Sequence, residues 1–275
     1  MTKWTDKIKA RNAGEEKNAP WWVNDKLKLH KWAKENNLPM PEVYRTWDTP
    51  EELDLDNLPA KFVLKPSVMF SSWGVMLLEL MPNGNYWESL KNRELSVEQI
   101  KKEQLQAYDR CKYKKAYRLM VEERIDSPEA GQDIPLDYKA FSYFGEVHLV
   151  QQINRNHKPI RINFFDGNFN GLDLDSNIVT DWTGRQIDPL VKPQEWERLL
   201  QIAREVTVKL ATPFMRVDMY VGGNGPIIGE LTPSPGDAFY GNNYRFAESL
   251  DLFLGEQWVD AERRIEAMQQ KDSLR

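Results

Sequence analysis

Two apolar runs towards the C-terminal end, Phe214-Met215-Arg216-Val217-Asp218-Met219-Tyr220 and Ile227-Ile228-Gly229-Glu230-Leu231-Thr232, flank the turn Gly222-Gly223-Asn224-Gly225. The pattern reads as a β-hairpin. Side chains alternate faces along a strand, so Arg216 and Asp218 point the same way. Glu230 and Thr232 share a face of the partner strand in the same manner. Such a hairpin gathers a guanidinium, two carboxylates and a hydroxyl on one surface. Hard oxygen ligands beside a cation are the chemistry that holds Mg²⁺ bound to phosphates. An isolated Arg-x-Asp is more often a surface ion pair, so the reading depends on what else the chain supplies.

The 275 residues, 41% hydrophobic and 29% charged, suffice for a large core in one domain or two closely joined lobes. The net charge of −5 gives a nucleic-acid partner no global electrostatic support. One cysteine, Cys111, excludes a disulfide framework within the monomer. The three histidines, His30, His148 and His157, have no zinc-ligand spacing. No apolar run approaches membrane-spanning length, and the polar start Met1 to Lys7 is unlike a signal peptide. The expectation is a cytoplasmic protein.

Residues 1–20 read as a flexible polar N-terminus. Asn24-Asp25 caps a helix running to Asn37, with Leu29, Trp32 and Ala33 on its apolar face and Pro39 and Pro41 beyond its end. Val43-Tyr44, Phe62 to Pro66, Gly74 to Leu80 and Leu119 to Glu123 read as strands. Ser96-Val97-Glu98-Gln99 is a capping box that opens a helix towards Tyr108. Tyr138 to Phe144 and Val147 to Ile153 are strands joined at Gly145-Glu146, with Ile160 to Phe165 a further one. The Gly-, Asp- and Asn-rich stretch from Asp166 to Leu190 reads as a long functional loop. The stripe Trp196, Leu199, Leu200, Ala203, Val206 and Leu210 marks a helix, and a final amphipathic helix starts near Arg245.

Lys65 ends a strand before a loop of small residues, Ser67, Ser71, Ser72 and Gly74. Backbone amides of such a loop wrap phosphates, and a strand lysine reaches them as a point charge. Taken alone this signal is weak, because Met69, Phe70 and Trp73 interrupt the loop and no Walker-type motif is present. The order of the pieces is more specific. Leu58-Pro59 before Phe62-Val63-Leu64-Lys65-Pro66, then Val121-Glu122-Glu123-Arg124-Ile125, Asp137-Tyr138-Lys139, Arg216-Val217-Asp218-Met219-Tyr220 and Gly229-Glu230-Leu231-Thr232 together resemble the ATP-grasp superfamily. Within it the chain most resembles the TupA-like branch, named after teichuronopeptide biosynthesis and found in polysaccharide gene clusters. The resemblance spans roughly residues 25–256.

That resemblance implies an α+β fold in which two lobes hold ATP between antiparallel sheets. The ATP-grasp domain would run over 21–275, with a small lobe about 60–120, a large lobe about 121–275 and an abbreviated N-terminal lobe. It further implies that Lys65 contacts phosphates under a loop containing Ser71, Ser72 and Gly74. Glu122, Glu123 and Ile125 would form the hinge facing adenine, and Asp137 would take the ribose. Lys139 would reach phosphates or substrate, and Arg216 would neutralise the transferring phosphoryl group. Asp218, Glu230 and Thr232 would hold Mg²⁺. The implied cofactors are ATP and Mg²⁺, and the implied partners are small-molecule carboxylate and amine substrates, with no nucleic acid and no membrane. The implied reaction is carboxylate–amine ligation through an acyl phosphate, on an amino acid, a peptide or a uronic-acid glycan precursor. A phosphotransferase to a hydroxyl and a non-catalytic nucleotide-binding module stay open. Three departures from the superfamily pattern stand out. The glycine-poor loop runs Val68 to Trp73, Thr232 stands where an Asn is common, and the chain before Lys65 is short.

Overall fold

The fold is described from a computed structural model covering all residues except Phe70, Ser71, Ala130, Thr183, Arg185, Asn242, Leu274 and Arg275. Two antiparallel sheets carry it. The first has strand order β1-β6-β2-β3-β4-β5, from β1 (Val43–Trp47), β2 (Lys61–Pro66), β3 (Met76–Leu80), β4 (Tyr86–Glu88), β5 (Arg93–Leu95) and β6 (Leu119–Glu123). Its residues alternate cleanly. Phe62, Leu64, Met76, Leu78, Leu119 and Val121 pack with Ile100 and Tyr117 in one core cluster, beneath α3 (Val97–Arg110). Val63, Lys65, Leu77 and Glu122 face the opposite way, into a cleft. The capping box expected at α3 is present, with the Ser96 hydroxyl accepting from the Gln99 N–H and Gln99 answering the Ser96 N–H. This sheet begins earlier in the chain than the expected small lobe, because β1 pairs with β6.

The second sheet has the order β12-β11-β7-β8-β9, from β7 (Asp137–Tyr143), β8 (Glu146–Asn154), β9 (Arg161–Asp166), β11 (Met215–Gly222) and β12 (Gly225–Thr232). One face, with Tyr138, Ala140, Val150, Val217 and Met219, packs on Leu199, Leu200, Ala203 and Val206 of α5 (Trp196–Lys209). The other face is divided. Its far part, Phe141, Tyr143, Leu149 and Phe214, is covered by Leu254, Trp258 and Ala261 of α7 (Glu248–Ser273) and by Trp4 and Ile8 of α1 (Trp4–Asn12). Its near part turns Asp137, Lys139, Asp218 and Tyr220 towards the cleft.

Two expectations need correction. The N-terminal residues are not loose: α1 buries Trp4, Ile8 and Arg11, and Thr5 hydrogen-bonds Asp251 of α7 through its N–H at 3.0 Å and its hydroxyl at 2.7 Å. The chain leading into α1 approaches α7 so closely that a Cβ at Gly255 would lie 2.0 Å from the Thr2 carbonyl oxygen. Polar composition misled because only one narrow edge of this helix is apolar. The described residues between Asp166 and Leu190 do not line the cleft and form a strap along the second sheet. It holds α4 (Leu174–Asn177) and β10 (Ile178–Val179), which pairs with β13 (Arg245–Phe246). The Asp188 carboxylate accepts from Gln152 and Asn154 of β8.

Candidate active site

The hairpin forms as its sequence dictates, with one addition. Arg216 faces Thr232 and Asp218 faces Glu230, but Met219 faces Ile228. Gly229 is therefore the extra residue of a bulge. The bulge flips the alternation, so Ile228 enters the core while Glu230, two residues on, reaches the cleft. Gly229 also accommodates Tyr220, since a Cβ there would lie 2.5 Å from the ring.

Asp218 is the centre of this half of the site, its side chain 4% exposed. Arg216 grips it bidentately, Nε to Oδ1 and Nη2 to Oδ2, each at 2.7 Å. Lys139, opposite Asp218 on β7, donates to Oδ2 as well. Lys139 also pairs with Asp137 at 2.9 Å, and Arg155 pairs with Asp137 at 3.2 Å. Burial opposes charge on Asp218, but Arg216 and Lys139 outweigh it and hold the carboxyl below the ordinary carboxylate range. Burial likewise opposes the Arg216 charge and Asp218 reverses the effect, raising its pKa. Thr232 accepts from Arg216 Nη2 at 3.1 Å. Arg216 and Thr232 sit behind Asp218, and Arg216 acts on the cleft through that carboxylate.

Across the cleft, Lys65 ion-pairs with Glu122, and His30 Nε2 lies 3.1 Å from the other Glu122 oxygen. Burial raises the Glu122 pKa, while Lys65 and His30 lower it further, for a net depression. Glu122 was expected in the hinge facing adenine; its side chain anchors Lys65. Glu123, Ile125 and Asp137 line the cleft with Val63, Val75 and Leu77, and so does Ser72. Gly74 does not line it. Its carbonyl accepts from Gln104 on α3, which turns it away. Ser71 lies outside the described residues.

Two charged cleft residues, Lys26 and Arg155, and His30 behind Glu122 escaped the sequence reading. Lys26, the first residue of α2 (Lys26–Glu35), is buried, donates to the Met69 carbonyl at 3.0 Å and lies 3.6 Å from Glu230. Burial lowers its pKa and Glu230 partly restores it. His30 follows one helical turn later, and Arg155 follows β8. A lysine at the start of a helix and a histidine among Lys28, Lys31 and Lys34 look like solvated residues in sequence. The one available signal was spacing: positions 26, 29, 30 and 33 form one face of α2, and Leu29 and Ala33 are core.

The cleft suits a polyanion that arrives with a divalent cation. Lys26, Lys65, Lys139 and Arg155 converge on it from both sheets and from α2, with Arg216 behind Asp218. Among the described residues, no three His, Cys, Asp or Glu side chains cluster as a metal cage. Asp218 and Glu230 on paired strands fit Mg²⁺ that takes its remaining ligands from phosphate and water. One Asp137 carboxylate oxygen is buried without a partner, and so are Nε and Nη1 of Arg124 in the cleft wall. Such orphan groups at a cleft mark a place where a ligand completes the hydrogen bonding.

Two lobes with antiparallel sheets closing on such a cleft define the ATP-grasp fold. D-alanine–D-alanine ligase from Bacillus anthracis superposes with a TM-score of 0.51 at 14% identity, over 90% of this chain and 69% of that one. The enzyme of the same name from Coxiella burnetii gives 0.51 at 14%, over 91% and 59%. The ATP-grasp ligase PsnB, solved with a precursor peptide and AMPPNP, gives 0.47 at 11%, over 90% and 61%. This chain thus spans about three-fifths of the length of PsnB. No curated protein matches the sequence. The family model for TupA-like ATPgrasp matches residues 6–259, and the chain belongs to that family.

Proposed function

We propose that this protein is an ATP- and Mg²⁺-dependent carboxylate–amine ligase that works through an acyl phosphate. The observation that carries the reading is the charge arrangement at Asp218. Its carboxylate is ionised, desolvated and shared between Arg216 and Lys139, beside Glu230 on the paired strand. A Mg²⁺ ion bound at Asp218 and Glu230 would neutralise phosphate charge during transfer.

The chain's own residues have distinct tasks in this reading. Val63, Val75, Leu77 and Ile125 on one side and Tyr220 on the other form an apolar slot that fits a purine. Asp137 offers its unpartnered oxygen to a ribose hydroxyl. Lys65 and Lys26 meet phosphate oxygens, and Lys139 can leave Asp218 for the same purpose. Arg216 holds the Asp218 carboxylate ionised and oriented, and through it supports the charge on the terminal phosphoryl group as that group moves. In the first step a substrate carboxylate oxygen bonds to that phosphorus and ADP leaves. In the second an amine attacks the acyl carbon, phosphate leaves and the amine gives up a proton. The protein positions and neutralises, and forms no covalent bond itself. The family's gene-cluster setting favours an amino acid, a peptide or a uronic-acid glycan precursor as the carboxylate.

The test is ADP release over a matrix of carboxylates and amines, followed by transfer of ¹⁸O from labelled carboxylate to phosphate. One labelled oxygen per phosphate is expected. Asp218→Asn and Glu230→Gln should each lower turnover by at least about a thousandfold, roughly 4 kcal/mol of transition-state stabilisation, while remaining folded. Product without ¹⁸O in phosphate would exclude acyl-phosphate ligation, and normal turnover in either variant would remove the metal site.

A further inference from the structure

Arg11 is the most deeply buried arginine among the described residues that the proposed mechanism leaves unused, at 1% exposure. It comes from α1, far from the cleft in sequence. Its Nη1 donates to two carbonyls at once, Phe214 O at 3.1 Å and Pro233 O at 2.8 Å. Phe214 immediately precedes β11 and Pro233 immediately follows β12. The last cross-strand pair inside them is Arg216 opposite Thr232. One guanidinium nitrogen therefore bridges the open end of the hairpin that carries Arg216, Asp218, Glu230 and Thr232. The rest of Arg11 is fixed independently. Nε and Nη2 pair with Glu16 at 2.7 and 2.8 Å, and its guanidinium carbon lies 4.3 Å from the Trp258 ring centroid.

We propose that Arg11 is a positioning residue for the metal-binding hairpin, holding β11 and β12 at the spacing that lets Asp218 and Glu230 share one divalent ion. The inference rests on the metal reading above. β11 is held on its other side by β7 as far as Met215, but β12 is the edge strand and has no ladder bond beyond Thr232 opposite Arg216, so its spacing from β11 there depends on contacts from outside the sheet. Without Arg11, the Pro233 carbonyl would be buried with its acceptor unsatisfied and the Phe214 carbonyl would keep only the Thr212 hydroxyl at 3.2 Å, so the end of β12 would move away from β11 to find water. Arg216 spans the same two strands by gripping Asp218 and Thr232, so separation would also turn the Asp218 carboxylate. α1 is thereby part of the site's support rather than a decoration of the core.

The test compares Arg11→Met with Arg11→Lys and with Ile8→Ala, a cavity variant on the same helix that leaves the clamp intact. Two readouts are taken well below each variant's melting temperature. One is amide hydrogen exchange over residues 214–219 and 229–233. The other is Mn²⁺ affinity in the presence of AMPPNP, followed by electron spin resonance. Arg11→Met should exchange faster in both segments and bind Mn²⁺ at least about tenfold more weakly. AMPPNP affinity without metal should stay within about twofold, since the Lys65 half of the cleft is untouched. Arg11→Lys should recover part of both effects, because an ammonium can still reach one carbonyl. Ile8→Ala should keep wild-type Mn²⁺ affinity despite its lower stability. Unchanged exchange in folded Arg11→Met, unchanged Mn²⁺ affinity, or an equal loss in Ile8→Ala would overturn the proposal. Wild-type protein that binds AMPPNP but no Mn²⁺ would overturn the metal reading itself, a different outcome from a wild type that binds and an Arg11 variant that is unaffected.

Discussion

Single residues at this site are held by pairing rather than by isolation. Asp218 and Glu122 are both buried, both ionised, and both matched by two cations or a cation and an imidazole. Their folded-state pKa values are depressed. A depressed carboxylate contributes stability that is fully present above its unfolded value, about 4, and lost as pH falls through the lower folded value. Melting temperature should therefore be insensitive to these two groups from neutrality down to about pH 5 and fall steeply below about pH 4. Asp218→Asn should start from a lower melting temperature at neutral pH and decline less steeply on acidification; parallel curves for variant and wild type would show that Asp218 carries no such linkage. Most of this network was legible in sequence. Asp218, Lys139, Asp137 and Lys65 meet in the cleft, with Arg216 behind Asp218, because the strand period of two puts them on one face of each sheet. Lys26 and His30 left one faint signal, the helical spacing they share with the core residues Leu29 and Ala33, and Arg155 at a strand exit left none.

Elements converge on the cleft by small departures from regularity. The Gly229 bulge lets one strand supply Ile228 to the core and Glu230 to the site, which strict alternation forbids. It also opens the space that Tyr220 fills, 2.5 Å from where a Cβ would stand. Gly229→Ala should displace the Tyr220 ring into the slot proposed for the purine. The expected result is AMPPNP binding weakened about tenfold, roughly 1.4 kcal/mol by calorimetry, with much of the loss recovered when Tyr220→Ala is added. Wild-type affinity in Gly229→Ala would mean that the ring moves elsewhere and does not wall the site. The hairpin, the α3 capping box and the α5 stripe could be read from sequence because local chemistry decides them. The bulge could not, since it is a register relation between two strands. The same limit applied to Asp166 through Leu190, where turn residues spelled a loop and tertiary pairing of β10 with β13 made a strap.

On the scale of the molecule, three separate bodies of chain meet at one charge cluster: the first sheet with Lys65 and Glu122, the second with Lys139, Asp218 and Glu230, and α2 with Lys26. α2 is tied to the loop after β2 by the Lys26 N–H to the Ser67 carbonyl at 2.9 Å, and the segment after it to β12 by the Ile228 N–H to the Pro39 carbonyl at 3.0 Å. These links were invisible in sequence, because they join residues some 40 to 190 positions apart with no shared pattern. They make ligand binding a property of the whole fold. The cations and carboxylates already satisfy one another, and the oxygens of Asp218 are engaged by Arg216 and Lys139. Mg²⁺ alone would have to displace those contacts while gaining only two protein carboxylates, which is a poor exchange for a strongly hydrated ion. A nucleotide changes the balance, because its phosphates give Lys26, Lys65 and Lys139 new partners and supply the ion with further oxygens. Thermal unfolding should therefore respond little to Mg²⁺ alone, modestly to AMPPNP alone, and most to both together. At about a hundredfold excess over the dissociation constant the combined ligand should add about 2.7 kcal/mol, a rise of roughly 5–10 °C for a chain of this size. A shift of that size from Mg²⁺ alone would mean a preformed metal cage, and no shift from the pair would mean that the two sheets do not close on a nucleotide at all.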